Sequence, residues 1–498
     1  MSVRITRDQK DAGSPSGVFW ERHEHHVDNI CTFGPSNGLE VKKQRKKNSY
    51  FRNETVNYLR FLVPENCRIL ALGCGDGETL ARLKPCYGLG VDINQGYIEF
   101  ARNEYPEHEF LIADIEDPEF LKRLANQEPF DVILLEDTLG YLEDVHSFLQ
   151  RLGSLCIPET RVVSVYYGYM WEPLLQLAEK LNLRKPSFDT TWLRMSDIDN
   201  FMTLGGFETV KKEWRVFFPM NILGIANFVN RYIATLPLIR KLCLRHYLVA
   251  RRVPVEESKQ LSVSVVVPCR NEMGNIEPAL QRLPKLGSHT ELIFVEGHST
   301  DSTWEEIQRV KREYKNLDIK SIQQPGVGKR DAVRAGFNIA TGDVLMILDA
   351  DLTVPPEDLT KFFDLIKSGQ GEYINGSRLI YGMEDQAMRF LNYVANHTFA
   401  YIFSYLINQR LTDTLCGTKV LKRSDYNRIA QNRNYFGDFD PFGDFDLIFG
   451  ASKINLKICE VPVRYATRSY GTTQISRFRH GFLLVKMVLF AYKKFKVC

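Results

Sequence analysis

Short apolar runs alternate with amphipathic segments in two stretches of the chain, the first from Arg68 to about Arg252 and the second from Leu261 onward. In the amphipathic segments, apolar residues recur with the spacing of a helix face. Alternation of this kind is typical of α/β domains, whose strands are mainly parallel. Each stretch therefore predicts a parallel sheet covered by helices.

The segment 253–260 separates the two predicted sheets. Its sequence, VPVEESKQ, is short, polar and contains proline, as is typical of a domain linker. We predict an N-terminal extension at 1–49, a first domain at 50–252, a linker at 253–260 and a second domain at 261–498. A length of 498 residues agrees with two large domains or about three smaller ones.

Composition places the chain among ordinary globular proteins. Hydrophobic residues make up 44% and charged residues 25% of the chain, which excludes a fibre, a disordered chain and a polytopic membrane protein. A net charge of +3, from 64 Lys and Arg against 61 Asp and Glu, excludes a polycation and predicts no nucleic-acid partner. The 10 Cys form no C-x-x-C pair and residues 1–10 lack the apolar core of a secretory signal, so we expect a cytoplasmic protein.

Charge is nevertheless unevenly distributed. No acidic residue occurs in 214–255 or in 461–498, although both segments carry many Arg and Lys among apolar residues. Such segments can lie on an anionic membrane surface, which would make the protein peripheral on the cytoplasmic membrane face. Packing on the protein's own domain, with solvated basic residues, is the open alternative.

Three further segments have simpler interpretations. Residues 390–409 carry no charge but contain several polar residues, so they predict an interfacial helix or a core helix and not a membrane span. The run KKQRKK at 42–47 is interpreted as solvated, and His23, His25 and His26 as a surface cluster.

The first predicted sheet opens with a strand from Arg68 that runs into Gly73, Gly75 and Gly77. Glycines at these positions let a ligand lie against bare backbone. A dinucleotide fingerprint needs a further glycine where Glu78 stands, so a less anionic, nucleoside-like ligand fits better.

Carboxylates end the next strands of this sheet. Asp92 follows the second strand, where it can accept both ribose hydroxyls, and Asp114 closes the third, where it can accept from an adenine amino group. Glu136 ends the fourth strand and is followed by 137–141, where a second substrate should enter, since ligands of such sheets bind at the carboxyl edge.

This order of segments resembles the class I S-adenosylmethionine-dependent methyltransferases over residues 50–252. The resemblance implies that Gly73, Gly75 and Gly77 hold the methionine moiety of S-adenosylmethionine, Asp92 its ribose and Asp114 its adenine. Ala71 stands where the family commonly has an acid. No base for the methyl acceptor stands out in the sequence, and the candidates by location only are Tyr141, His146, Tyr166 and Tyr167, for each of which packing is the open alternative.

The second sheet repeats the pattern of polar groups at strand ends. Its first strand ends at Pro268 before the polar residues Asn271 and Glu272, and its second ends at Glu296. A later apolar strand closes on Asp349-Ala-Asp351, and two such carboxylates can hold Mg²⁺ or Mn²⁺ against a nucleotide diphosphate.

These motifs resemble the family 2 glycosyltransferases of the GT-A fold, and among them the dolichol-phosphate mannosyltransferase type. The resemblance implies that Pro268, Asn271, Glu272 and Glu296 bind the nucleoside, that Asp349 and Asp351 hold the metal and diphosphate, and that Arg378, Arg389 and Arg468 meet the acceptor phosphate. Three residues depart from the family pattern: Glu296 replaces Asp, Thr353 replaces a metal-binding Gln, and Gln474 replaces Lys.

A phosphate acceptor also agrees with the lack of the E-D base signature and of a Q-x-x-R-W motif. A phosphomonoester is mostly ionised near pH 7 and needs no general base, so direct displacement would invert the anomeric configuration. The sequence therefore predicts a bifunctional enzyme: a methyltransferase joined to a metal-dependent sugar transferase that uses a nucleotide-sugar and a polyprenyl phosphate. The alternative is transfer to a saccharide or another non-lipid acceptor, with the first domain a non-catalytic S-adenosylmethionine-binding docking module.

Overall fold

The computed structural model divides the chain into two compact units, Met1–Arg252 and Val253–Cys498. The structure describes residues 23, 26–32, 35, 38–181, 191–221, 224–254, 260–381, 390–437, 440, 443–466, 470 and 477–497. Several residues and segments singled out above lie outside the described residues: 1–22 of the N-terminal extension, His25, most of the predicted linker (255–259), Arg389, Arg468 and Gln474.

The first unit is built on one seven-stranded sheet. Its strands are β1 Arg68–Leu72, β2 Tyr87–Asp92, β3 Glu109–Ile112, β4 Val132–Glu136, β5 Arg161–Tyr167, β6 Phe207–Arg215 and β7 Arg245–Arg252. They lie in the order β3-β2-β1-β4-β5-β7-β6, and the first five pair in parallel. The predicted parallel sheet is confirmed for these five strands, whereas β7 pairs antiparallel with both β5 and β6, so the whole sheet is mixed.

Helices cover this sheet, and several begin at side-chain caps. The α-helices are Gly38–Lys47, Ser49–Leu62, Glu78–Leu83, Gln95–Glu104, Pro118–Ala125, Val145–Leu152, Glu172–Lys180, Met195–Leu204 and Ile225–Phe228. The carboxylates of Asp117 and Asp144 accept backbone N–H groups in the first turns of the helices that follow them. Apolar residues on the strands, such as Leu70 and Ile133, are fully buried beneath the helices.

The second unit carries another seven-stranded sheet. Its strands are β8 Val263–Cys269, β9 Thr290–Glu296, β10 Asp318–Gln323, β11 Val344–Ile347, β12 Tyr373–Ser377, β13 Lys419–Lys422 and β14 Ile458–Pro462. They lie in the order β10-β9-β8-β11-β13-β12-β14. Here too the sheet is mixed, because β13 runs antiparallel between β11 and β12.

The helices of the second unit complete an α/β architecture. They are Ile276–Gln281, Thr303–Glu313, Lys329–Ile339, Leu359–Lys367, Phe390–Ile407, Arg423–Gln431, Asp444–Lys453 and Arg477–Phe495. Phe403 of the helix Phe390–Ile407 is buried against Phe445 and Phe449. Across the described part of the chain, no helix has the length and apolar character needed to cross a membrane.

A buried glutamate ties three strands of the second sheet together. Glu291, on β9, accepts hydrogen bonds from the Ser264 hydroxyl on β8 and from the backbone N–H of Thr341 at 2.6 Å, and it pairs with the Lys320 ammonium on β10. Burial alone would raise the pKa of Glu291, but Lys320 and these hydrogen bonds lower it to about 2. The charged form of Glu291 therefore stabilises the folded unit.

We expect Glu291→Gln to lower the free energy of unfolding of the second unit by about 3 kcal/mol near pH 7, because a neutral amide cannot replace the buried carboxylate that accepts charge-assisted hydrogen bonds from Ser264, Thr341 and Lys320. The folded pKa lies below the unfolded value, so the stabilisation is complete above pH about 4.5 and is lost as the pH falls toward 2. Calorimetric unfolding at several pH values checks this. The difference in free energy of unfolding between wild type and Glu291→Gln should become smaller below pH about 4.5. The exposed control Glu305→Gln should have the stability of wild type at every pH.

Candidate functional site

The glycine loop of the first unit follows β1 and has a backbone that other residues would not adopt. Gly73, Gly75 and Gly77 have φ values of 74°, 53° and 76°. A Cβ at Gly73 would lie 2.6 Å from the Thr138 hydroxyl, whereas one at Gly75 would meet nothing within 4 Å. Thr138 therefore packs closely against the loop at Gly73, whereas the space above Gly75 is open, so a ligand can approach the backbone there.

Asp92, at the end of β2, fixes this loop. Its Oδ2 accepts the backbone N–H of Gly75 at 2.8 Å and its Oδ1 accepts that of Asn94 at 2.9 Å. Burial raises the pKa of Asp92, although these backbone hydrogen bonds lower it in part. The structure thus brings Asp92 and the glycine loop together, with lone pairs of both oxygens still able to accept hydroxyl groups.

Asp114 lies just beyond β3 and is joined to the N-terminal extension. Its Oδ2 lies 2.6 Å from His23 Nε2, and its Oδ1 accepts the backbone N–H of Glu116 at 2.8 Å. The hydrogen bond with Asp114 raises the pKa of His23, against the effect of burial. His26 reaches the same edge, with Nε2 2.7 Å from the Tyr141 carbonyl oxygen.

The expectation of a surface histidine cluster is therefore wrong for His23, which is only 4% exposed. Its partner Asp114 is far away in the sequence, so local composition gave no signal of the contact. The interpretation of 42–47 as solvated also fails at one residue. Arg45 is 17% exposed in its side chain and donates from Nε to Asp76 Oδ2 at 2.8 Å.

Asp76, inside the glycine loop, is a residue that sequence reasoning missed. Arg52 Nη2 donates to its Oδ1 at 2.8 Å, and Arg45 holds the other oxygen. Burial favours the neutral acid, but the two guanidinium groups lower the pKa of Asp76 below its usual value. Two helices at the start of the first unit are thereby tied to the candidate cofactor loop.

The second-substrate edge of the first unit contains a buried arginine. Arg245, at the start of β7 and 1% exposed, pairs with Asp137 and donates from Nη2 to Glu136 Oε1 at 3.1 Å. Its guanidinium lies 4.8 Å from the ring centroid of Tyr167 and 5.2 Å from that of Phe51. Because β7 is antiparallel, its first residue meets the last residues of β4 and β5.

Tyr166 and Tyr167, two of the candidates for a base at the methyl acceptor, lie in different surroundings. Tyr167 lies in the cluster around Arg245, stacked on Phe51 with centroids 5.7 Å apart. Tyr166 instead points into the core, where it is 7% exposed and its hydroxyl donates to Met195 Sδ at 2.8 Å. Burial raises the pKa of Tyr166, so this residue packs and does not act as a base.

In the second unit, the residues predicted to bind a nucleoside gather where β8 and β9 end. Glu296 Oε1 accepts the backbone N–H of Ser299 at 2.5 Å. The Asn271 side chain accepts the backbone N–H of Thr300 at 2.7 Å, so the two strand-end turns are joined. Pro268 lies on β8 and Glu272 follows the same turn. One edge of the sheet thus presents all four residues.

Asp349 and Asp351 follow β11 at the same edge. Lys329 Nζ lies 2.5 Å from Asp349 Oδ1. Burial raises the pKa of Asp349, but the Lys329 ammonium and further cations, first among them Lys419, bring it below its usual value. Gly417 leaves room for this pair, since a Cβ there would lie 1.9 Å from Asp349 Oδ2.

Asp349 and Asp351 supply oxygen ligands of the kind that a hard divalent cation prefers, but too few to bind one by themselves. Among the residues that the structure describes, no group of three or more His, Cys, Asp and Glu is arranged to hold a metal ion. Asp349 and Asp351 supply two carboxylates, and Thr353 donates its hydroxyl to Asp351 Oδ1 at 2.8 Å. A Mg²⁺ or Mn²⁺ ion on these two would need diphosphate and water oxygens to complete its coordination.

Arg378 occupies a more constrained position than its predicted contact with an acceptor phosphate suggests. Its Nε and Nη2 donate to Asp413 at 2.7 and 2.9 Å, and Asp413 is fully buried. The Tyr465 ring centroid lies 5.2 Å from the guanidinium. A phosphate contact would therefore fall to Nη1. The other two arginines of this prediction, Arg389 and Arg468, lie outside the described residues.

Comparison with known proteins agrees with the two-unit architecture. Residues 70–162 match a family described as Methyltransferase domain, and residues 264–429 match Glycosyl transferase family 2. One segment of the first unit thus matches the methyltransferase model and one segment of the second unit matches the glycosyltransferase model, in agreement with the two resemblances and with the two α/β sheets.

Part of the chain is similar to curated sugar transferases. The dolichol-phosphate mannosyltransferase of Pyrococcus furiosus is 36% identical over 124 residues, which is 24% of this chain and 34% of that protein. The dolichyl-phosphate hexose transferase of Haloferax volcanii is 27% identical over 237 residues, 47% of this chain and 93% of that protein. A solved structure similar to the first unit, magnesium protoporphyrin IX methyltransferase from Synechocystis, is 14% identical with a TM-score of 0.32, covering 46% of this chain and 99% of that one.

We expect Asp413→Asn to lower the free energy of unfolding of the second unit by about 3 kcal/mol, because it leaves the buried Arg378 guanidinium without its anion. Differential scanning calorimetry of the full chain measures the effect, and the transition of the first unit is the internal reference. Asp364→Asn, an exposed control on the helix Leu359–Lys367, should not change either transition. Equal stability of both variants would contradict the importance of the buried pair.

Proposed function

We propose that the second unit transfers a sugar from a nucleotide-sugar to a polyprenyl phosphate, and that the first unit transfers a methyl group from S-adenosylmethionine. The observation that carries the sugar-transfer proposal is the placement of Asp349, Asp351 and Lys329 beside the nucleoside-facing ends of β8 and β9. The names of the relatives, which act on dolichyl phosphates by those names, support the acceptor class.

The donor side needs positive charge where the diphosphate departs. Burial alone would lower the pKa of Lys329, but Asp349 raises it above its usual value, so the ammonium stays charged at physiological pH. A divalent metal on Asp349 and Asp351 would add charge stabilisation of the leaving diphosphate. Gly417 keeps this corner free of side-chain bulk.

The acceptor side needs no general base. A phosphomonoester has a second pKa of about 6, so it is mostly a dianion near pH 7 and can attack the anomeric carbon directly. Arg378 is placed at the end of β12, where Asp413 fixes its orientation and Nη1 can face an anion. Roles of Arg389 and Arg468 at the same phosphate are part of the proposal.

For the first unit, the open backbone above Gly75 and the carboxylate of Asp92 suit S-adenosylmethionine. Asp92 would accept from the ribose hydroxyls, and the glycine loop would lie along the methionine moiety. Asp114 would accept from the adenine amino group, and its contact with His23 would then bring the N-terminal extension next to that base.

One observation favours a second candidate for this unit, namely cofactor binding without turnover. Ala71 supplies no acid in β1, and Arg245 neutralises one of the two carboxylates at the second-substrate edge. A docking module would bind S-adenosylmethionine but methylate no acceptor, which distinguishes it from the methyltransferase proposal.

An anionic membrane is the proposed surface for the lipid acceptor. On the helix Arg477–Phe495, Leu484 and Met487 are buried, whereas Phe482 and Leu489 on the opposite face are 63% and 65% exposed. Exposed Lys486 lies on that outer face, with Nζ 5.1 Å from the Phe482 ring centroid. An apolar face with interspersed lysine suits the interface of an anionic bilayer.

We expect Asp351→Asn to reduce Mn²⁺-dependent sugar transfer by roughly 10³-fold, because one metal carboxylate is lost and charge on the leaving diphosphate is less well stabilised. Transfer to a polyprenyl phosphate, with GDP- and UDP-sugars as donors, is the assay. The affinity of the first unit for S-adenosylmethionine should not change. Asp364→Asn is the matched control, and full transfer by Asp351→Asn would contradict the metal role.

We expect Asp92→Ala to weaken S-adenosylmethionine binding by roughly 30- to 150-fold, the value of two charge-assisted hydrogen bonds to ribose, about 2–3 kcal/mol. Isothermal titration calorimetry measures it, and unfolding of the same sample checks that the loop held by Asp92 remains folded. The exposed Glu99→Gln on the next helix should bind as wild type. An unchanged affinity in folded Asp92→Ala would reject the ribose contact.

A further inference from the structure

The first unit exposes a broad apolar surface that its candidate cofactor site does not use. This surface, here called the apolar rim, consists of residues 170–181, 217–221 and 224–242, which follow β5 and β6. Soluble monomers rarely leave contiguous apolar areas uncovered unless these areas bind something.

The helix Glu172–Lys180 supplies one part of the rim. No residue of this helix is buried. Met170, Leu174, Leu177 and Leu181 are 63%, 57%, 51% and 59% exposed, and their spacing of four, three and four residues places them on one helix face. The helix is therefore amphipathic, with its apolar stripe turned to solvent.

The connection between β6 and β7 supplies the other part. Phe228 and Leu238 are 60% and 86% exposed. Trp171 joins the two parts, because its Nε1 donates to the Leu242 carbonyl oxygen at 2.8 Å and its ring lies edge-on to Phe217, with centroids 6.4 Å apart. The two parts therefore form one surface.

Charge on the rim has one predominant sign. The connection lies in the acid-free segment 214–255, and Arg231 and Lys241 are exposed there. Lys180 is exposed at the end of the helix, whereas its acids, Glu172 and Glu179, are half-buried. An apolar surface edged by exposed cations complements an anionic lipid bilayer better than an acid-balanced protein surface would.

The rim is also next to the second-substrate edge. Tyr167, in the cluster around Arg245, precedes Met170 by a short turn, and the N–H of Gly168 donates to the Leu244 carbonyl oxygen at 2.8 Å, one residue before Arg245. A molecule in a bilayer that contacts the rim would therefore lie near Tyr167 and Arg245, at the second-substrate edge.

We propose that the apolar rim docks the first unit on an anionic bilayer, and that the methyl acceptor is an amphiphile resident in that bilayer. The acceptor class rests on the proposed methyltransferase activity, whereas the docking does not. A second copy of the chain is the competing occupant of the rim.

Docking is tested with the full chain and vesicles of phosphatidylglycerol and phosphatidylcholine, sedimented at low salt. Leu174→Glu with Leu177→Glu should weaken binding by about thirtyfold, the loss of two half-exposed leucines from the interface. Ile157→Glu, a 39% exposed residue before β5 at the opposite edge of the sheet, should bind as wild type. Phe482→Glu with Leu489→Glu measures the contribution of the C-terminal helix separately.

Binding by the Leu174/Leu177 variant equal to that of wild type would overturn the docking, as would a wild type that does not bind. A wild-type dimer that the variant converts to monomer would assign the rim to a second copy and overturn the proposal in the same way. Light scattering of both proteins, with S-adenosylmethionine affinity as the check of folding, gives this readout.

The acceptor class is tested with methyl-labelled S-adenosylmethionine and a membrane extract, separated afterwards into organic and aqueous phases. Label in the organic phase, reduced at least tenfold in the Leu174/Leu177 variant, supports the proposal. Label in the aqueous phase alone overturns the acceptor class while leaving the methyltransferase activity intact. No labelled product, with cofactor binding retained, overturns that activity and the acceptor class together.

Discussion

Carboxylates held in poorly hydrated surroundings at the carboxyl edges of the two sheets are the constraint on which both candidate sites depend. Burial alone raises the pKa of such groups, and cations from elsewhere in the same unit outweigh this effect for Asp349 and Asp76. Lys329 does this for Asp349, and Arg52 and Arg45 do it for Asp76. The cations thus favour the charged form of Asp349, which a metal would need, whereas Asp92 is supported only by the backbone N–H groups of Gly75 and Asn94.

The sequence predicts the glycines and carboxylates at the carboxyl ends of the strands better than it predicts the cations that pair with carboxylates there. Gly73, Asp92 and Asp349 are visible because each directly follows an apolar strand, so a local pattern suffices. Arg45 and Arg245 could not be assigned in the same way, since their partners lie far away in the sequence and adjacent only after folding. The antiparallel direction of β7 and β13 could not be predicted for the same reason. Strand direction depends on pairing, which hydrophobic periodicity does not encode.

The loop between Asp413 and Gly417 shows how a motif can serve a site without touching its ligand. Asp413 orients Arg378 through two hydrogen bonds, and Gly417 provides the space in which Lys329 and Asp349 meet. One short segment thus orients the arginine that we propose for the acceptor phosphate and leaves room for the ion pair that we propose for the donor diphosphate. The predicted phosphate contact of Arg378 is compatible with this role, but only through the nitrogen that Asp413 leaves available.

The apolar rim and the outer face of the helix Arg477–Phe495 are two exposed surfaces that carry both apolar and basic residues. Because they belong to one chain, their proposed affinities for a bilayer would not be independent. The proposed docking of the C-terminal helix, with Phe482 and Leu489, and that of the rim, with Leu174, would be coupled, because a second contact made by the same chain forms at a higher effective concentration. Weak contacts then suffice at each surface, which agrees with lysines that contribute about 1 kcal/mol each and are screened by salt. A chain built in this way would leave the membrane steeply as ionic strength rises, since both surfaces lose their electrostatic attraction together.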